Sequence, residues 1–326
     1  MVDFTVAICT YNGETRLPEV LERLRECYTY TRRSLVDSES IDWEIIVVDN
    51  NSTDNTVKVV RAYQTTWSSD CPLKLCFEPQ QGLAFARQRA ITNAKGKFIG
   101  FIDDDNLPNP EWVAAAYTFG QAHPQAGAFG GLVLADCEGE VPEDFEKVAC
   151  FLSIVDRGAK PFIYDRRQGL LPPGAGLVVR RQAWCETVPN RLFLAGRVGK
   201  FQLASEDLEA LSYIQNGGWE IWYNPQMCIH HKIPPRRMER DYLLSIVRGT
   251  GLARHQIRMV RLKAWQRPIL FPLYLINDLR KLISLLIEDD RTTKAELAVA
   301  CDIEFLRSSL LSPFYLWSKQ ANSKKK

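Results

Sequence analysis

Four short apolar runs, each closed by polar or acidic residues, constrain this chain more than any other feature. They are FTVAIC (4–9), WEIIVVD (43–49), LKLCFEP (73–79) and GKFIGFI (96–102). Their length and β-branched content suit strands rather than helices. Helical spacing lies between them. Leu17, Val20, Leu21 and Leu24 recur in RLPEVLERLRECYTY, VKVVRAY follows the turn NNSTDNT, and Gly82 opens LAFARQRAITNA. Strands that alternate with helices imply right-handed crossovers, hence an α/β fold with a mostly parallel, doubly wound sheet. Continuous apolar strands fit a sheet covered on both faces. Such sheets bind ligands at the carboxyl ends of their strands. Here those ends carry Thr10, Tyr11, Asp49, Asn51 and Asp103 to Asp105.

Further along, DDDNLPNPEW reads as the exit loop of the fourth strand, and PEWVAAAYTF as a helix with proline at its start. AGAFGGLVLA and GAGLVVRR read as strands. SEDLEALSYIQNG reads as a helix with Ser205 as N-cap and Gly217 as its stop. WEIWYNPQMCIHHKI reads as two short strands around Asn224-Pro225, and the pattern is helical from about Glu239 onward. The expected organisation is a catalytic domain over 1–238, with halves 1–126 and 127–238, followed by a helical, basic and amphipathic extension over 239–326.

With 46% apolar and 25% charged residues the chain is composed as a folded protein, not a disordered one. Nine cysteines occur without a C-x-x-C pair. Cys9, Cys76, Cys150 and Cys228 sit in apolar runs and read as reduced core residues rather than a disulfide frame or zinc site. The first residues lack the basic start of a secretory signal. The longest apolar stretch, 268–287, is interrupted by Asn277, Asp278, Arg280 and Lys281, so a membrane span is not expected. Charge is uneven: residues 1–231 carry a net −8 and residues 232–326 a net +10. An acidic body and a basic tail facing something anionic are expected.

The run FIDDDN (101–106) sets three carboxylates in a row. Strand alternation would turn Asp103 and Asp105 one way and Asp104 the other. A facing pair at a strand end can bind a hard divalent cation that bridges to phosphates. The plainer alternative is a solvated acidic turn, with Asn106 bonding the local backbone. Asp49 at the end of the second strand can accept hydrogen bonds from a ribose or base. Its alternative use is helix capping, which Ser52, Thr53 and Asp54 can already supply. Arg87 offers a fixed charge near a phosphate or near Asp103, or is an exposed helix arginine. Glu206 and Asp207 open a helix, where the dipole favours negative charge; either could also serve as a general base. His230 and His231 sit in an apolar strand, where only one can face a site. A neutral imidazole there could complete a cation's shell, or simply be packed.

The order of these elements resembles the family-2 glycosyltransferases, with their GT-A nucleotide-sugar-binding fold. The resemblance runs from about Phe4 to about Gly251, roughly three quarters of the chain. It rests on VAICTYN, IIVVDNNSTDNT, QGLAFARQRAI, GKFIGFIDDDNLP, GAGLVVRR, SEDLEALSYI and HHKIPPRR, in that order. It implies that Thr10 and Tyr11 line the nucleoside pocket, that Asp49 holds the base or ribose, and that Arg87 supports the nucleotide. Asp103 and Asp105 match the ends of the family's D-x-D motif, with Asp104 between them in the nucleotide site. Asp103 would then face the ribose or base and Asp105 would ligate the cation. Asp207 matches the base, with Glu206 beside it. His231, ahead of His230, matches an added metal or diphosphate contact, and Arg236 or Arg237 would assist the diphosphate.

The implied chemistry is direct displacement with inversion at the anomeric carbon, dependent on a divalent cation (manganese or magnesium). The donor would be a nucleotide-diphosphate sugar linked to UDP, GDP or dTDP. The acceptor would be a hydroxyl of a glycan or lipid-linked glycan, in cell-surface or extracellular polysaccharide synthesis. The Q-x-x-R-W motif of processive synthases is absent, which favours single addition.

Residues 232–267 hold ten Lys+Arg and two Asp+Glu, directly before PILFPLYLI. A basic run beside an amphipathic apolar segment suits an anionic membrane surface. A cytoplasmic protein, peripheral on the inner face of the plasma membrane, is the corresponding expectation. The alternative is a helix packed on the catalytic domain with a solvated basic face. No recognised nucleic-acid-binding module accompanies the charge. Rival functions are a metal-dependent nucleotidyltransferase, for which a glycine-rich basic phosphate loop is lacking, and a non-catalytic nucleotide-sugar binder. A signalling receiver module would leave two thirds of the chain without a role.

Overall fold

Strand β1 (Phe4–Thr10) is buried along its whole length, as is β2 (Trp43–Asp49), because helices cover both faces of the sheet they form. The computed structural model describes residues 2–34, 40–196, 203–289 and 297–323. Helix α1 (Leu17–Ser34) joins β1 to β2, and α2 (Thr56–Thr66) leads to β3 (Leu73–Phe77). Next come α3 (Leu83–Asn93), β4 (Phe98–Asp103), β5 (Asn106–Pro108) and α4 (Trp112–Ala122). The second half contains β6 (Ala126–Cys137), α5 (Phe145–Val148), β7 (Phe162–Ile163), β8 (Val178–Arg180), α6 (Arg181–Thr187), α7 (Glu206–Asn216) and β9 (Glu220–Ile233). The carboxyl-terminal helices are α8 (Arg240–Arg261), α9 (Arg267–Asp289) and α10 (Leu297–Ser323).

Among the described residues one sheet has the order β3-β2-β1-β4-β8-β6-β9-β5, with β7 paired to β9. The β1–β2, β1–β4 and β2–β3 pairs are parallel, as the alternating sequence pattern predicts. Their registers set Thr10 opposite Asp49 and Cys9 opposite Asp103, so three polar strand ends lie level. The two-residue period divides the core. Phe4, Val6 and Ile8 pack with Leu21 and Trp112 on one face; Ala7 and Cys9 pack with Ala90 and Leu211 on the other.

Several local expectations are corrected. The exit loop of β4 contains β5, which pairs antiparallel with β9 and sets Asn106 opposite His231. Asn106 is therefore buried, and its Nδ2 donates to Asp105 rather than to the backbone. The segment around Asn224-Pro225 is one strand, β9, not two; a register shift against β6 between Gly130 and Leu132 absorbs the proline. Ser205 stands at the N-cap of α7, but in a left-handed conformation (φ 80°) without a side-chain capping bond. Cys9 and Cys228 are buried, whereas Cys76 is half-buried and Cys150 is exposed.

Helix α8 packs through Leu243, Ile246 and Val247 on Phe145, Val148 and Ile233. Asp278 of α9 is fully buried and joins the three last helices. It accepts from Arg258 at 2.7 and 2.9 Å, from Arg254 at 3.3 Å and from Ser309 of α10 at 2.7 Å. Burial acts to raise this carboxyl, but Arg258, Ser309 and Arg254 outweigh it and hold it below the usual range. Removing it would leave two arginines facing a buried gap. Asp278→Ala is expected to cost about 2–3 kcal/mol, less than a fully buried pair because both arginines keep some solvent contact. Chemical denaturation measures this, and a loss under about 0.5 kcal/mol would show that the cluster does not tie these helices together.

Candidate active site

The level strand ends floor a cleft of about 710 Å³, and its walls come from segments far apart in the sequence. Thr10, Tyr11, Arg87, Asp103, Asp104, Asp105, Glu206, Asp207 and His231 all line it. Asp49 does not. It is buried, and its Oδ1 accepts the Ser52 backbone N–H at 3.1 Å in the turn after β2. The neighbouring Asn50 reaches the cleft instead and ties β2 to the loop before α3: its Oδ1 accepts the Gly82 N–H at 2.8 Å.

Strand alternation ends at Asp103, because residues 104 and 105 form a turn. Asp104 therefore faces the same cleft as its neighbours, contrary to the alternation expected from sequence. Each aspartate meets a different arginine. Arg87 Nη2 lies 3.7 Å from Asp103 Oδ1. Arg16 grips both oxygens of Asp104 at 2.9 Å, and Thr10 Oγ1 donates to Oδ2 at 2.6 Å. Arg237 Nη2 lies 2.8 Å from Asp105 Oδ2. Burial pushes the Asp103 carboxyl up to about 6 against the pull of Arg87, with help from the Asp105 and Asp104 charges.

Asp105 goes the other way. Burial acts to raise it, yet His231 and Arg237 facing it hold it well below the usual carboxylate range. His231 Nδ1 donates to the Leu152 carbonyl at 2.9 Å, while Nε2 lies 2.9 Å from Arg237 Nη1, which can only donate. The imidazole thus carries a hydrogen on Nδ1 and turns Nε2 toward Arg237 and Asp105. His230, on the other side of β9, does not line the cleft. Arg236 is exposed, so of the two candidate arginines Arg237 is the one at the site.

Across the cleft, α7 presents Glu206 and Asp207. Glu206 Oε1 accepts from Arg87 Nη1 at 3.3 Å. Asp207 accepts the Gly174 N–H at 2.6 Å on Oδ2 and the Leu208 N–H at 2.8 Å on Oδ1, leaving each oxygen a further lone pair. Gly174 also covers Arg87: a Cβ there would stand 2.7 Å from Nη1. Below, the guanidinium sits 5.3 Å from the Phe101 ring. The Cys9 thiol in the cleft floor is pushed up to about 12 by burial, which removes it as a nucleophile.

Among the described residues five carboxylates and four guanidiniums line the cleft, so an incoming diphosphate would need added positive charge. No group of three or more His, Cys, Asp or Glu side chains is gathered for a metal among those residues. Asp105 and His231 nevertheless present an ionised oxygen and an imidazole nitrogen to one cation, the Arg237 guanidinium. That donor pair suits a hard divalent ion whose remaining ligands are substrate oxygens and water. Arg16, whose partner is 88 residues away, was not singled out by sequence; its position five residues after Tyr11 at the head of α1 was the available signal.

Residues 5–169 match the family described as glycosyl transferase family 2. A glucosyl-dolichyl phosphate glucuronosyltransferase of Haloferax volcanii is 25% identical over 242 residues, covering 74% of this chain and 72% of that protein. The poly(ribitol-phosphate) beta-N-acetylglucosaminyltransferase TarS of Staphylococcus aureus is 30% identical over 129 residues, covering 38% of this chain and 20% of TarS. Among solved structures, the mannosyltransferase PcManGT from Pyrobaculum calidifontis, in complex with GDP-Man and Mn2+, has the same fold. Its TM-score is 0.55 at 20% identity, over 97% of this chain and 83% of that one.

The covering of Arg87 by Gly174 is testable. Gly174→Ala is expected to cost about 1–3 kcal/mol in denaturant unfolding. In an Arg87→Ala background most of that cost should vanish, giving a coupling of about 1 kcal/mol or more. Additive effects would mean that the glycine is needed for another reason. The match over half the chain, together with the doubly wound sheet and its acidic strand ends, establishes that the protein belongs to glycosyl transferase family 2 and has the GT-A fold.

Proposed function

We propose that the protein is a metal-dependent, inverting glycosyltransferase that moves one sugar from a nucleotide-diphosphate sugar to a hydroxyl of a glycan or lipid-linked glycan. The observation that carries this reading is the opposition, across one cleft, of Asp207 with open lone pairs and the Asp105–His231 donor pair. Asp207 takes the proton from the acceptor hydroxyl as that oxygen bonds to the sugar C1. The bond from C1 to the diphosphate oxygen breaks on the opposite side, so the configuration inverts. The two backbone N–H groups on Asp207 fix the direction of its carboxylate.

Asp105 and His231 would hold a divalent cation, which would offset the negative charge on the departing nucleoside diphosphate. Arg237, paired with Asp105 in the free protein, is within reach to turn to the diphosphate. Arg87 faces Glu206 and Asp103 with a fixed positive charge, and Thr10 and Tyr11, which line the same cleft, would border the nucleoside. The related proteins act on lipid-linked and polymer acceptors by name, and the mannosyltransferase of like fold binds GDP-Man with Mn2+. A role in polysaccharide or lipid-linked glycan synthesis agrees with them.

A panel of UDP-, GDP- and dTDP-sugars, tested for binding and slow hydrolysis with and without manganese, checks the donor class. Absence of binding by every nucleotide in the presence of cation would sink the reading. Asp207→Asn is expected to lower transfer by about 10²–10⁴-fold with donor affinity nearly unchanged. Normal transfer by that variant would mean the base lies elsewhere. Asp105→Ala is expected to abolish the manganese-dependent part of nucleotide binding, read by calorimetry; unchanged cation dependence would reject Asp105 as a ligand.

A further inference from the structure

Helix α9 turns an apolar face to solvent. Ile269, Leu273, Ile276, Leu279, Ile283 and Ile287 are exposed, Ile276 to 63% and Ile283 to 48%. Their three- and four-residue spacing makes one stripe about 27 Å long. Beside it, α10 exposes Leu311, Phe314 and Trp317. The Asp278–Ser309 bond and the packing of Leu282 on Ile303 and Leu306 run the two helices antiparallel, which brings these three residues alongside the amino-terminal half of α9. Singly exposed apolar residues are ordinary, but a continuous face of this length marks a contact surface.

The charges along the stripe are mainly basic, with Glu288 and Asp289 following its last residue. Lys263, Arg267, Arg280 and Lys281 are all exposed. The one acidic residue between positions 263 and 287 is Asp278, which is buried and turned onto Arg254 and Arg258. Trp265, 66% exposed, stands among these cations at the head of the helix. A second copy of the chain docked on this face by a two-fold axis would set like charges together. No helix among the described residues is long and apolar enough to cross a membrane. We propose that the α9–α10 face lies on an anionic lipid surface, with the isoleucine and leucine stripe in the acyl boundary and the lysines and arginines at the headgroups. The long Arg280 side chain, inside the stripe, reaches the headgroups from there.

This contact does not depend on what the cleft transfers. Flotation of the full chain with phosphatidylcholine vesicles containing about one third phosphatidylglycerol should recover it with lipid, and with neutral phosphatidylcholine vesicles much less. Arg280→Gln and Lys281→Gln should each weaken binding about fivefold, and raised salt should weaken it further. Ile276→Asp with Ile283→Asp, at exposed positions, should lower vesicle binding at least tenfold while leaving nucleotide binding unchanged. Equal recovery with neutral and anionic vesicles overturns the proposal, as does undiminished binding by the double aspartate variant. Dimerisation of the wild-type chain through this stripe without vesicle binding, read by sedimentation, also overturns it.

Discussion

Arg87 is the interaction on which the cleft depends. It is buried at the carboxyl edge of the sheet, with Glu206 at 3.3 Å and Asp103 at 3.7 Å. Carboxylates in a wall of low polarity neutralise or shift unless a fixed cation faces them, and arginine stays charged where lysine would not. The guanidinium also holds three distant pieces together: α3 carries it, Phe101 of β4 floors it and Gly174 roofs it. Gly174 in turn donates its N–H to Asp207. Position and charge at the head of α7 thus follow from one buried side chain and the absence of another.

The same principle resolves the three adjacent aspartates. Their mutual repulsion is met by one arginine each, from α3, from the start of α1 and from the turn after β9. The three partners differ in strength and so in consequence. The bidentate grip of Arg16 together with Thr10 makes Asp104 a structural tie between β1 and β4. The longer contact to Arg87 leaves Asp103 a raised carboxyl open to the cleft. Asp105 is held ionised by His231 and by a guanidinium that also touches His231.

The carboxyl-terminal helices show a second sorting of charge. Asp278 sits in a segment rich in isoleucine and leucine, where an acid at the surface would oppose contact with anything apolar and anionic. It points inward, and its two arginines and Ser309 keep it ionised there. The basic residues of α9 are left on the outside with the apolar stripe. The expectation of a packed helix with a solvated basic face is met in part: α8 packs on the body, but the outer face of α9 is apolar.

Much of this was legible in the residues themselves. Strands β1 to β4 and the helices between them follow from short continuous apolar runs and from spacings of three and four, which depend on local geometry alone. The acidic strand ends, the helix start at Glu206 and Asp207, and the basic amphipathic tail are equally local. The pairing of β5 with β9, which sets His231 near Asp105, is not local, because Asn106 and His231 meet through a register chosen by the whole sheet. Nor could sequence tell that Asp49 Oδ1 would accept the Ser52 N–H, that a turn would end strand alternation at Asp103, or that Arg16 would answer Asp104. Each is a choice among partners many residues apart, decided by packing and by which charge can reach which. The sequence by itself determined the α/β layering and the edge where polar chemistry gathers; the tertiary structure decided which arginine neutralises which acid, and so what each acid is free to do.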